Sequence, residues 1–392
     1  MTGATGFVGS NLARELLNCG YNLKFLVRGK NIKERVGNIF RKLYKQPEEY
    51  DKVRKKIEVI EGDISKKYLG ISLEDLNRLS QQVTSVFHCA ALVSFDKTKK
   101  SNIERVNVEG TKNVLDFMRR FDLNELHYIS TAYIAGQRKG IVYEDELDEG
   151  QIFNNPYEES KFKAEKLIRE YQSKYPINTT VYRPSIIVGD SKTGKTSSFV
   201  GFYGIIKQLW VLRELFKEDI KRGGQRAKRA NVSFEKGILI LPLRVPGLIN
   251  KTLNLVPIDY VVKVIIRVFK EENLHSKVYH IINPNPPTLG YIQKLVSKAL
   301  NISGVKVVNP EELRTRSATY WEKFFLEMIK DYIPYLEKEE PIFSDKNTQR
   351  VLNKSLCCPR ITLNLIGELI SHCVTTNWGK KDECLFNSAT GY

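Results

Sequence analysis

The sequence predicts an α/β protein in which a doubly wound parallel sheet carries a smaller, mostly helical lobe. Two observations predict it. Short apolar segments alternate with helix-like ones through the first half, and three evenly spaced glycines open the chain just ahead of a helical pattern. Such alternation needs crossover helices, so successive strands run parallel.

The strand-like segments are 22–27 (NLKFLV), 57–61, 85–89 (SVFHC), 125–130 (ELHYIS) and 179–183 (TTVYR). Helix-like segments 10–18, 103–121 and 158–174 lie among them. The strands are short and apolar on both faces, as buried parallel strands are. From Ser197 the rhythm changes: residues 197–249 are rich in aromatic, basic and glycine residues and do not alternate. Residues 257–270 read as a helix entered through Pro257, and 278–282 (VYHII) as a strand that rejoins the sheet. Segments 288–300, 318–329 and 363–374 read as further helices, followed by a frayed end. The expected division is a sheet domain at 1–196, to which 251–290 partly returns, and a lobe made of 197–250 and 291–392.

Composition narrows the class. The 392 residues are 42% hydrophobic and 27% charged, which excludes wholesale disorder. The most apolar stretch, 237–246 (GILILPLRVP), is too short to span a bilayer and is broken by proline. The chain opens on the glycine turn rather than on a secretory leader, so a cytoplasmic location with reduced thiols is expected. The six cysteines form no CxxC pair and the five histidines are scattered, so no metal site is expected. A net charge of +17 suits polyanionic partners, but no nucleic-acid module accompanies it, so nucleic acid is not expected among them. The densest basic run, 213–229 (RELFKEDIKRGGQRAKR), reads by itself as a solvated helix and loop.

Residues 2–9 read TGATGFVG, with Gly3, Gly6 and Gly9 ahead of a helix. Glycine allows a tight turn and close approach of the backbone to a pyrophosphate, which the helix N-terminus then favours. This is the turn of a Rossmann-type sheet. The strand that should precede it is missing, since the chain begins Met1-Thr2-Gly3. That strand is central in such sheets, so the apolar sides of its neighbours are expected to be exposed. Upstream residues are expected to raise cofactor affinity and thermal stability. The next strand ends Val27-Arg28-Gly29-Lys30, without the acid that holds unphosphorylated ribose. Arg28 and Lys30 suit a 2′-phosphate, which favours NADPH over NADH.

Tyr157 and Lys161 stand four apart near a helix start and therefore share a face. An ammonium beside a phenol is expected to stabilise phenolate and lower the tyrosine pKa toward the working range. Thr131, at the carboxyl end of a strand, is the expected second donor to a substrate oxygen. Its competing use is as a helix cap.

TGATGFVG, Gly62-Asp63-Ile64, HCAALVSF, VNVEGT, YISTAYIAG, YEESK and YRPSIIVGD occur in one order at compatible spacings. With these motifs the chain resembles the extended short-chain dehydrogenase/reductase family, strongly over its first half. STAYIAG, RPSIIVGDSKTG, NLVPIDYVV and INPNPPTL resemble the thioester-reductase and fatty acyl-CoA reductase branch, as more weakly does FSDKNT within 332–352.

The resemblance implies that Gly3, Thr5, Gly6, Phe7, Val8 and Gly9 hold the pyrophosphate. It implies that Arg28 and Lys30 meet the 2′-phosphate and that Asp63 and Ile64 flank adenine. Ala90 and Ala91 would pass beneath the cofactor, with Pro184 and Ile187 bordering the nicotinamide. Thr131, Tyr157 and Lys161 would form the catalytic set, supported by Asn107, with Lys161 also reaching the nicotinamide ribose. The implied reaction is hydride transfer from NADPH to an acyl thioester on coenzyme A or an acidic carrier protein, giving aldehyde or alcohol. The basic run 213–229 would meet that carrier. Peripheral membrane contact, and a homodimer through the Tyr157–Lys161 helix, are compatible with this reading. Two rivals stand beside it: a ketone/alcohol dehydrogenase or epimerase on a sterol-like or nucleotide-sugar substrate, and a non-catalytic NADP-binding sensor.

Overall fold

In the computed structural model, which describes residues 1–44, 46–315, 317–352 and 356–379, the alternating half forms parallel strands with helices between them. The strands among these residues are β1 (Leu23–Val27), β2 (Ile57–Glu61), β3 (Val86–His88), β4 (Glu125–Ile129), β5 (Ile141–Val142), β6 (Asn178–Pro184) and β7 (Ile186–Val188). There follow β8 (Ser233–Glu235), β9 (Ile238–Pro246), β10 (Leu255–Pro257), β11 (Val278–Ile281), β12 (Ile302–Val308) and β13 (Ile342–Phe343). The frayed end expected at 380–392 lies outside the described residues. No helix of the described residues is long and apolar enough to cross a membrane.

Two parallel ladders, β1-β2 and β11-β6-β4-β3, dominate the first part of the chain. Thr2 bridges them, pairing with Leu26 on one side and His88 on the other. The order is therefore β2-β1-Thr2-β3-β4-β6-β11, and the strand order reverses at Thr2. Thr2 N donates to Phe87 O at 2.9 Å, and Leu26 N donates to Met1 O at 3.0 Å. The exposure expected of the neighbouring strands does not occur: Phe25 and Phe87 are buried. Helix α1 (Phe7–Asn18) is the reason. It turns Leu12 and Leu16 onto the core that holds Phe87, and Ala13 and Leu17 onto the one that holds Phe25.

The chain divides into two compact units. The first comprises Met1–Ile187, Thr252–Pro286 and Lys338–Pro359; the second comprises Val188–Lys251, Pro287–Glu337 and the chain from Arg360. Residues 338–359 thus fold with the sheet rather than with the lobe to which the sequence reading gave them. The cause is backbone pairing: β13 runs parallel to β5, and the Glu144 carboxylate accepts the amides of Asn347 and Thr348.

The expectation for one helix changes. The helix expected over 103–121 is interrupted, with Lys100–Glu104 and Gly110–Arg120 flanking a π-helical turn at Arg105–Glu109. Such turns recur at functional sites, and this one carries Asn107. In the second unit the apolar stretch 237–246 becomes β9, the centre of a three-stranded sheet ordered β12-β9-β8. Its Leu239, Leu241, Leu243 and Val245 are buried at period two, which marks a strand rather than a helix.

Candidate active site

The glycine turn is built by close approach. Gly3 has φ +70°, and a Cβ there would lie 2.5 Å from Ala90 N. A Cβ on Gly9 would lie 2.1 Å from Gly3 O. Both obstacles are backbone, so no rotamer relieves them. Gly9→Ala is expected to cost about 1–3 kcal/mol and to abolish dinucleotide binding. Gly367→Ala, in a helix where a Cβ meets nothing within 4 Å, is expected to be neutral or stabilising. Thermal denaturation with cofactor titration checks the pair; equal behaviour of the two variants would contradict the cradle.

α1 starts at Phe7 with Gly6 as its N-cap, no side-chain cap and no acid in its first turn. Its first N–H groups, around Phe7, Val8 and Gly9, therefore suit an anion. Thr5 is half-buried in the turn. Arg28 lies just past β1 with 67% of its side chain exposed, and its Nη1 is 3.8 Å from Asp63 Oδ2. Lys30 is exposed. Asp63 Oδ1 accepts from Ser65 N at 2.9 Å and Ser65 Oγ at 2.8 Å. Ile64 differs from expectation. It is buried in the core that contains Val114 and Leu115, and a Cβ on Gly110 would touch its Cδ1. The helix packed on it claims the side chain, and Asn113 Nδ2 donates to its carbonyl at 2.7 Å.

Beyond β3, Ala90 and Ala91 are half-buried. Asn107 holds the loop they begin: its Oδ1 accepts from Leu92 N at 2.7 Å and its Nδ2 donates to Leu92 O at 3.1 Å. The same Nδ2 lies 2.8 Å from Ser160 Oγ. Asn107 therefore reaches the Pro156–Gln172 helix through Ser160, the neighbour of Lys161, rather than through the lysine ammonium.

That helix starts at Asn155, whose side chain accepts from Glu158 N, and Pro156 takes its first position. It carries Tyr157 and Lys161. Lys161 Nζ donates to Ile129 O at 2.6 Å and lies 4.0 Å from the centre of the Tyr128 ring. Burial pulls its pKa down to about 7, with the Glu165 carboxylate one turn on acting against the shift. The lowered tyrosine pKa expected from the sequence is not found. Burial and the Glu158 carboxylate hold the Tyr157 phenol above its usual range. The lysine, which was to supply the opposing charge, turns instead to a carbonyl at the end of β4.

Thr131 follows β4 and is buried. Its Oγ1 accepts from Tyr133 N at 3.2 Å, capping a short 3-10 turn, and donates to Pro184 O at 3.4 Å. Pro184 ends β6, and Ile187 sits in β7. Ser185 between them has a buried hydroxyl without a hydrogen-bond partner among the described residues.

The buried pair Arg183–Glu165 was not anticipated from the sequence. Glu165 accepts from Arg183 Nη2 at 2.7 Å and from Nε at 3.1 Å, and also binds Ser130 Oγ. Arg183 Nη1 donates to Glu144 O at 3.1 Å and to His280 Nε2 at 3.3 Å. Burial and then Arg183 push the His280 pKa down to about 3, so the ring is a neutral acceptor. One signal was available: Glu165 lies four residues after Lys161, on the same helix face.

The sequence pattern of an NAD-binding family described as male sterility protein matches residues 1–265. The chain belongs to this family. This agrees with the resemblance to extended short-chain dehydrogenase/reductases carried by the sequence motifs. Aldehyde reductase lnbA of Aspergillus flavus is 27% identical over 299 residues, which are 73% of this chain and 26% of that protein. The putative fatty acyl-CoA reductase CG8306 of Drosophila melanogaster is 34% identical over 149 residues, 34% of this chain and 28% of the relative. The chain thus spans little more than a quarter of these two proteins. The terminal R domain from the myxalamid PKS-NRPS biosynthetic pathway shares the fold, with a TM-score of 0.75 at 24% identity, covering 97% of this chain and 91% of that one. A cradle that any Cβ would fill, an uncapped helix start and the unpartnered Ser185 hydroxyl fit a nicotinamide dinucleotide.

Proposed function

We propose that this chain is an NADPH-dependent reductase acting on the carbonyl of an acyl thioester, borne by coenzyme A or an acidic carrier protein. The observation that carries the reading is one continuous network at the carboxyl edge of the sheet. It runs from Gly3 against Ala90, through Leu92 and Asn107 to Ser160, and from the adjoining Lys161 to Ile129 beside Thr131. Open α/β sheets bind ligands at this edge, where the strand order reverses. The reductase names of the relatives support the same reading.

NADPH, when bound, would supply hydride to the thioester carbon. Tyr157 is the proton donor to the carbonyl oxygen, and its raised pKa keeps it protonated at neutral pH, as a donor must be. Thr131 Oγ1 gives that oxygen a second hydrogen bond by leaving Pro184 O. Lys161 acts on Thr131 by bracing the end of β4 that leads into it, and would offer Nζ to the nicotinamide ribose. The resulting hemithioacetal expels the thiol and leaves an aldehyde, which a second hydride would convert to alcohol. Gly3, Thr5, Gly6, Phe7, Val8 and Gly9 would hold the pyrophosphate. Asp63 would face adenine, Ala90 and Ala91 would pass under the cofactor, and Pro184 and Ile187 would border its nicotinamide. Arg226, Lys228 and Arg229 are exposed and give an anionic carrier a charged surface.

NADPH oxidation measured against long-chain acyl-CoA, acyl-pantetheine, a ketone and a nucleotide sugar tests the assignment. Aldehyde or alcohol from the thioesters is expected; turnover confined to the ketone or the sugar would overturn it. Arg28→Ala is expected to raise KM for NADPH by about 10–100-fold and to leave KM for NADH nearly unchanged, since a charged hydrogen bond contributes about 1.5–3 kcal/mol. Equal effects on both cofactors would remove Arg28 from the 2′-phosphate.

A further inference from the structure

At the opposite, amino-terminal edge of the sheet lies a cluster that hydride transfer does not use. Glu125 opens β4, His127 follows two residues on along the same face, and His275 comes from the connection before β11. We propose that Glu125 Oε1, His127 Nε2 and His275 Nδ1 bind one divalent first-row transition ion, with zinc as the reference metal.

The geometry is close to that of a coordination shell. Glu125 Oε1 is 3.0 Å from His127 Nε2 and 2.8 Å from His275 Nδ1. All three atoms lie within 4.8 Å of one another. Metal–ligand bonds of about 2.0–2.2 Å in a tetrahedron place ligand atoms roughly 3.3 Å apart. An ion would replace the hydrogen bonds that now run through Glu125 Oε1, with each imidazole carrying its proton on the outer nitrogen, His127 Nδ1 toward Tyr182 Oη and His275 Nε2 toward Phe269 O.

The outer shell is also present. A ligating imidazole characteristically places its other nitrogen on an oxygen, which fixes tautomer and ring orientation. His127 Nδ1 lies 3.0 Å from Tyr182 Oη, and His275 Nε2 lies 3.1 Å from Phe269 O. Ser85 Oγ holds the second oxygen of Glu125. The rings are fixed in place: His127 stacks on Phe87 at 4.6 Å between centroids and meets Phe269 edge-on at 5.0 Å. Glu125 keeps 27% and His275 14% of their side-chain surface exposed, which leaves an entry path and room for water as fourth ligand. The ion would tie β4 to the segment that feeds β11. Four rises of β4 separate Glu125 from Ile129, about 13 Å, so the site is distinct from the Tyr157–Lys161 region.

The test is titration of the purified chelator-treated chain with Co²⁺, whose visible absorption reports coordination. One equivalent is expected to give the intense bands of a four-coordinate nitrogen/oxygen site, which Zn²⁺ then erases. His275→Gln and Glu125→Gln are each expected to lose the bands while keeping the native far-ultraviolet circular dichroism. Cys357→Ser with Cys358→Ser is expected to keep them. No bands, bands that persist in both the His275 and Glu125 variants, or bands lost with the cysteines would overturn the assignment.

Discussion

Tyr157→Phe is expected to lower kcat by about 10³-fold while changing the cofactor dissociation constant by less than about 2-fold. The phenolic hydroxyl is the only part removed, and positioned proton donors contribute about 10²–10⁴-fold. Phenylalanine keeps the ring against Phe95, whose centroid lies 6.4 Å away, so the helix start is undisturbed. Stopped-flow and steady-state NADPH oxidation, with binding followed by cofactor fluorescence, measure the two quantities separately. Retained turnover would move the proton donor elsewhere. Retained binding with lost turnover would exclude a sensor that only holds the cofactor.

The second large effect is on stability. Glu165→Gln is expected to destabilise the first unit by about 3–5 kcal/mol, the usual cost of leaving one half of a buried ion pair. Arg183 and Glu165 have only 1% and 2% of their side-chain surface exposed. The guanidinium would keep only weaker partners, the Glu144 carbonyl and His280. Glu165→Leu combined with Arg183→Met is expected to cost less than Glu165→Gln, because no charge is then left buried. Urea unfolding followed by circular dichroism is the suitable measurement. Tryptophan emission is not, since Trp210, Trp321 and Trp378 all belong to the second unit. A single variant that costs under about 1 kcal/mol would mean that water reaches the pair.

Much of the sheet was legible because its signals are local. Strand segments at 57–61, 125–130 and 278–282 and helices at 257–270 and 363–374 agree with the structure to within one or two residues. Their residues carry the period of one element and end at glycine, proline or a capping side chain. β12 (Ile302–Val308) was not anticipated. It alternates with polar residues and contains Gly304, and only its pairing with β9 makes it a strand. The placement of 338–359 failed for a similar reason. Two residues of β13 cannot announce a partner some 200 positions earlier, and the Glu144 carboxylate that receives the segment shows no pattern in sequence.

Within the site, residue identities were readable and their partners were not. Glycine at positions 3 and 9 follows from the motif, but the reason is tertiary: Ala90 N and Gly3 O occupy the space a Cβ would need. Four-residue spacing put Tyr157 and Lys161 on one face, yet it could not say that the ammonium would turn to Ile129 O, nor that the phenol would keep a raised pKa. Ile64 was named from its motif, and Gly110 on a helix 46 positions later decides that it points inward.

The sequence by itself determined the fold class, the glycine turn and the set of side chains available for hydride chemistry. Each depends on residues within one turn, strand or helix, where spacing fixes geometry. The tertiary structure decided which of those side chains are paired, buried or free to meet a ligand. Thr2 can join two ladders, Arg183 can neutralise Glu165, and His275 can reach His127 only when distant segments are packed together, because hydrogen bonds and Coulomb forces act over ångströms and not along the chain.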